Sequence, residues 1–179
     1  MIRKHLRFSL FLMIFFILCL SFTGCKRPLV KEHVFTNQTW QKFDTIVFNI
    51  PSSGDNKPYN IRLFIHYLGA FPTFDLPIVA IMQSPTGEER FFTKRIWLKS
   101  LDGKPKGVEA DDHFVLEQVL WHEFVFKEKG VYRLIIESDH PNYQVEGIIS
   151  VKIEILPGAL EPPKPQPGNF NSLWFLPKK

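Results

Sequence analysis

Residues 60–67 read Asn60, Ile61, Arg62, Leu63, Phe64, Ile65, His66, Tyr67, and this alternation constrains the fold more than any other feature of the chain. Side chains leave a β-strand on alternate faces, so Ile61, Leu63, Ile65 and Tyr67 make one apolar face that must pack against a second layer. The same period returns at Tyr132, Leu134 and Ile136. It returns again at Val151, Ile153 and Ile155, set against Ser150, Lys152 and Glu154. Further β-branched and aromatic runs occupy residues 45–50, 78–83, 90–98 and 114–126, the last long enough to break into two strands. Between them lie turn formers: Pro51-Ser52-Ser53-Gly54-Asp55-Asn56, Pro85-Thr86-Gly87, the loop 102–107, and residues 127–130 and 138–142. No stretch from 34 to 156 sustains a helical period. The pattern predicts an all-β fold, an antiparallel β-sandwich of jelly-roll type with about eight strands, with a closed barrel as the alternative.

Residues 34–156 are long enough to bury a core as one domain. They must do so without disulfides, because Cys19 and Cys25 are the chain's two cysteines. An aromatic content of 15% fits a core held by packing alone. From residue 157 the composition changes. Pro157, Gly158, Pro162, Pro163, Pro165 and Pro167 favour an extended spacer, and residues 169–177 then carry Phe170, Leu173, Trp174, Phe175 and Leu176. This aromatic C-terminal hook (within 157–179) has three fates: folding back on the sandwich, docking on a partner through Phe170, Trp174 and Phe175, or remaining unstructured.

At the other end, Arg3, Lys4 and Arg7 precede an uncharged apolar run over residues 8–20, too short for a bilayer-spanning helix and suited to a signal peptide. Ser21-Phe22-Thr23-Gly24-Cys25 then resembles a lipobox, with small residues just before the cysteine and Phe22 where an aliphatic residue is usual. The expected organisation is a signal peptide at 1–24, a lipidated Cys25 opening a membrane-proximal tether at 25–33, and the sandwich. A thioether-linked diacylglycerol and an amide-linked fatty acid such as palmitate, each contributing roughly 0.8 kcal/mol per buried methylene, would hold the chain durably in a membrane.

Loss of Arg3, Lys4 and Arg7 reduces the 22 basic residues to 19 against 18 acidic, a net charge of +1. That lacks the concentrated basic face of a nucleic-acid binder; no nucleic-acid partner is expected, and Lys26-Arg27 fits lipid headgroups. Candidate catalytic groups are few. His122-Glu123 begins like a zinc-protease helix, but the second histidine position holds Phe126 in a β-forming segment. Asp111, Asp112 and His113 read as an inter-strand loop before they read as a cation site, and Ser138-Asp139-His140 as a bend before a triad. No enzyme activity, metal or cofactor is expected. Trp40, Trp97 and Trp121 leave a carbohydrate or peptidoglycan binding platform as the alternative function.

Several features in order carry a resemblance: Trp40 before the run 45–50, Tyr59-Asn60-Ile61, Asp75-Leu76, Ser84-Pro85-Thr86-Gly87, and the loop Asp102-Gly103-Lys104-Pro105-Lys106-Gly107. The run 126–130, Tyr132, Ile136-Glu137, Val145-Glu146-Gly147-Ile148 and 151–155 complete it. Over roughly residues 35–155 the chain resembles the gliding motility lipoprotein GldH family of the Bacteroidota. The resemblance implies an accessory envelope lipoprotein that supports gliding motility or the associated protein secretion, with other envelope proteins as partners and no catalytic residues. Surface-exported lipoproteins of this phylum resemble one another in carrying acidic residues after the acylated cysteine. Lys26-Arg27-Pro28-Leu29 carries none, which implies a periplasm-facing attachment to the outer membrane.

Overall fold

The computed structural model describes residues 28–158; the segment 1–24, Cys25, and the tail with Phe170, Trp174 and Phe175 lie outside the described residues. The described chain forms strands β1 (Leu29–Val34), β2 (Thr39–Gln41), β3 (Ile46–Ser53), β4 (Pro58–Tyr67), β5 (Asp75–Gln83), β6 (Glu89–Trp97), β7 (Val108–Ala110), β8 (His113–Val125), β9 (Lys129–Ser138), β10 (Gln144–Glu146) and β11 (Ile148–Pro157). A single 3-10 turn, Thr36–Gln38, joins β1 to β2, and the described residues contain no α-helix. The count is eleven rather than about eight because β2, β7 and β10 are three residues each, too short to show a period. Residues 29–33, read from sequence as tether, are in β1. Residues 114–126 do not divide in two: β8 runs through, its register with β4 shifting twice near Ile61.

Two antiparallel sheets form, in the orders β1-β11-β4-β8-β7 and β3-β9-β5-β6, and β10 pairs with β2 in a small separate ribbon. Among the eight long strands the first pairs with the last (β1 with β11), the second with the seventh (β3 with β9), the third with the sixth (β4 with β8) and the fourth with the fifth (β5 with β6). This nesting, a long hairpin wrapped over itself into two sheets, is the jelly-roll wiring.

The alternation that predicted the fold faces inward as expected. Ile61, Leu63, Ile65 and Tyr67 of β4 and Val151, Ile153 and Ile155 of β11 are buried against Ile46, Phe48 and Ile50 of β3, Leu76, Ile78 and Met82 of β5, and Leu134 and Ile136 of β9. Each such side chain contributes roughly 1.5–3 kcal/mol when fully buried, which lets a cysteine-free domain stand on packing. One end of the sandwich is closed by the β2–β10 ribbon, where Trp40 and Val145 are buried and Trp40 stacks on Phe35 at 5.0 Å. An aromatic cluster of Tyr59, Phe124, Phe126 and Tyr132 fills the opposite end.

Buried polar groups follow the same economy. Asn60, 1% exposed, sits where β8 bulges: its Oδ1 accepts the Glu123 N–H at 3.1 Å, and its amide donates to the Gly158 carbonyl. Glu123 itself takes a left-handed φ of 52° there, so Asn60 satisfies a backbone group that the ladder cannot. The Tyr67 hydroxyl lies 2.6 Å from both the Leu98 and Lys106 carbonyl oxygens and accepts the Lys106 N–H at 2.9 Å, tying the 99–107 loop to β4.

Candidate functional site

The outward faces of the two sheets differ in chemistry, and the register explains how. On the five-stranded sheet the outer rows mix charged with apolar residues: Glu32, Lys152, Phe64 and Glu117 align across β1, β11, β4 and β8, and Val30, Glu154, Arg62 and Val119 form the next row. Lys152 lies over the Phe64 ring at 4.8 Å, and Arg62 pairs with Glu117 at 3.2 Å. On the four-stranded sheet, Val47 of β3 faces Ile135 of β9, Ile135 faces Ile81 of β5, and Ile81 faces Phe91 of β6. An apolar stripe therefore crosses the entire sheet, about 15 Å from end to end at the usual strand spacing. Val47 is 40% and Phe91 63% exposed. The row on one side is polar, with Arg133 donating to Gln83 at 3.2 Å and Gln83 to Glu89 at 3.1 Å. On the other side stand Glu137, Val79 and Thr93. The stripe is therefore bounded by polar residues along one side and continued by Val79 on the other.

A second feature lies where the sheets part at the edge formed by β1 and β3. Leu29, Ile50, Pro51, Ser52, Ser53, Tyr59, Phe126, Ile155 and Pro157 line a pocket of about 330 Å³. It opens at the end of the sandwich where β1 begins and β11 finishes.

The third is a chain of hydrogen bonds that joins residues far apart in sequence. Asp112 Oδ1 stands 3.0 Å from His113 Nδ1, and His113 Nε2 stands 3.1 Å from His66 Nδ1. With the carboxylate taking the His113 Nδ1 proton, His113 Nε2 accepts from His66, which leaves His66 Nε2 buried without a partner. Burial holds the His66 pKa below its ordinary value, partly opposed by the nearby Glu32 carboxylate, and the hydrogen bond from His113 lowers that of Asp112. The network ties β4 to the start of β8. Among the described residues, no group of three or more His, Cys, Asp or Glu side chains is arranged to hold a metal ion.

The sequence candidates fall out as follows. Asp112 and His113 do meet, together with His66, whose part only strand pairing reveals; Asp111 is in a left-handed turn, φ 50°. His122 and Glu123 are exposed on β8. Ser138 Oγ accepts the His140 N–H at 3.4 Å and His140 Nδ1 the Asn142 N–H at 3.1 Å, so both side chains brace a bend. Trp40, Trp97 and Trp121 do not share a face. Trp40 is in the core, Trp121 packs between the sheets against Phe92 and Phe124, and Trp97 points outward from β6. Cys25, Phe170, Trp174 and Phe175 lie outside the described residues.

The described residues form a jelly-roll module without cysteines. Residues 29–155 match the GldH lipoprotein family, from the first residue of β1 almost to the end of β11, and the chain belongs to that family. It is similar to the gliding motility lipoprotein GldH of Flavobacterium johnsoniae, 23% identical over 119 residues that span 66% of this chain and 74% of the relative.

Proposed function

We propose that this chain is a non-catalytic accessory protein of the gliding-motility or associated secretion machinery. In this reading it is held on the periplasmic side of the outer membrane by a lipid on Cys25, and the apolar stripe of its four-stranded sheet docks on another envelope protein. Family membership and the relative's name support the setting; the stripe Val47–Ile135–Ile81–Phe91 is the observation that carries the mechanism. The partner is a protein with an apolar strand or helix face of matching length, its polar margin meeting Arg133, Gln83 and Glu89. Phe170, Trp174 and Phe175 are proposed as a second contact at the end of the Pro-rich spacer.

Complementation of a strain lacking the gene tests this. Val47→Asp together with Phe91→Asp places charge in the stripe at two exposed positions, where the cost in stability is expected to stay near 0.5 kcal/mol each. Colony spreading and secretion are expected to fall to the level of the deletion strain, while the protein stays folded and in the membrane fraction. Thr93→Asp, in the neighbouring row, is expected to complement. Full activity of the double variant would overturn the docking role of this face.

A further inference from the structure

The end of the sandwich that carries the pocket is also the end nearest to Cys25. Leu29 both opens β1 and lines the pocket, and it follows Cys25 by four residues, so even a fully extended tether places the cysteine within about 14 Å of it. The pocket's apolar lining comes from both sheets: Leu29, Tyr59 and Ile155 from one, Ile50 and Pro51 from the other. Its size, about 330 Å³, is at the lower end of the range for sites that take small apolar ligands.

Three exposed lysines surround this end. Lys57 precedes β4, and Lys127 and Lys129 flank the β8–β9 turn, which packs on Gly54 of the β3–β4 loop. Asp55 and Glu128 share these turns and keep their negative charge while accepting the Tyr59 hydroxyl and Thr86 Oγ1, each at 2.8 Å, and Glu123 is exposed on β8 close by; the lysines, with the longer reach, are the groups that can extend to headgroups. Lys26 and Arg27 add two positive charges next to the anchor in sequence. Lysines that extend past an apolar recess complement a bilayer, whose anionic headgroups attract them and whose chains fill apolar space.

We propose that this end of the domain seats on the anionic membrane surface, with Lys57, Lys127 and Lys129 on headgroups and the Leu29–Tyr59–Ile155 pocket receiving an apolar chain of a bilayer lipid. The orientation points the β2–β10 end away from the membrane and leaves the apolar stripe standing on the side of the domain. It rests on the reading of Cys25 as the anchor and adds to it a second, non-covalent contact.

The test uses the full mature chain, residues 25–179, unlipidated and carrying Cys25→Ser, with sedimentation on phosphatidylglycerol-containing vesicles and on phosphatidylcholine vesicles. Binding is expected on the first and at least tenfold weaker on the second. Each lysine near an anionic surface strengthens binding about fivefold, so Lys57→Glu, Lys127→Glu and Lys129→Glu together are also expected to weaken it at least tenfold. A nitroxide on Ser53→Cys, at the pocket, is expected to lose contact with a water-soluble nickel quencher on binding; one on Thr36→Cys, at the far end, is expected to keep it. Equal binding to both vesicle types, an unchanged label at position 53, or immersion of the label at 36 would overturn the proposal. So would binding that disappears when residues 159–179 are removed, which would assign membrane contact to the tail, or protection at 53 that appears only after that removal, which would assign the pocket to it. Because the probe chain has no Cys25, failure here leaves the acylation reading standing, and mass spectrometry of the native protein decides that separately.

Discussion

Replacing Trp40 with Ala is expected to lower the stability of the domain by about 4 kcal/mol, the largest effect expected of any single truncation here. Trp40 has no exposed surface, stacks on Phe35, and donates its indole N–H to the Asp44 carbonyl at 2.8 Å. It is also the one large side chain that the β2–β10 ribbon inserts over the end of the core, so its loss opens a cavity that two three-residue strands cannot collapse to fill. For a domain stable by roughly 5–15 kcal/mol this is a large share of the total, and Tm is expected to fall by about 10–15 °C. Trp40→Phe keeps most of the ring and loses the hydrogen bond, and a drop of about 1–2 kcal/mol is expected. Urea unfolding of both variants, compared at equal slope, reads the difference; equal destabilisation by Phe and Ala would show that the ring volume is not what matters.

Gly107→Ala is expected to cost about 3 kcal/mol, although it adds a single methyl group at an exposed position. Gly107 has φ +93°, and a Cβ there would come 2.3 Å from the Val115 carbonyl oxygen and 2.8 Å from its carbon. Those are backbone atoms of β8, with no rotamer to move aside, so β7 must lift from its partner. The loop that presents Lys106 to the Tyr67 hydroxyl shifts with it. Gly103 provides the control. Its φ is +80°, but nothing lies within 4 Å of the added Cβ, so Gly103→Ala carries only the left-handed strain of about 1 kcal/mol. Thermal unfolding of the pair separates close approach from conformational strain. Equal shifts would mean that Val115 does not constrain the glycine.

Much of this fold is legible in the sequence wherever a strand buries one face. The apolar sets of β4, β9 and β11 alternate cleanly because each lies inside a sheet with solvent on one side and core on the other. β1 is not legible for the complementary reason: Leu29-Val30-Lys31-Glu32-His33-Val34 is an edge strand with no fully buried residue, so charge enters both of its faces. The short β2, β7 and β10 are set by their partners rather than by their own pattern. The wiring follows from none of these strands singly, because it depends on which partners nest.

The surfaces were less legible still. Val47, Ile81, Phe91 and Ile135 come from four strands, and only the cross-strand register brings them into one row. Likewise, His66 and His113 are 47 positions apart and meet because Tyr67 pairs with Phe114 in β4 and β8. The readings of Cys25 and of the spacer with its aromatic end depend only on neighbours in the chain, and those residues lie outside the described ones.

The proposed contact role of a jelly roll that begins at Leu29, with its apolar stripe on one flank and its pocketed end beside the tether, requires that Cys25 hold it to a membrane. Mass spectrometry of the protein isolated from native membranes tests that most directly. The expected N-terminal residue is Cys25, bearing a thioether-linked diacylglycerol and an acylated amine. An unmodified Cys25, or a chain that still carries residues 1–24, would contradict it.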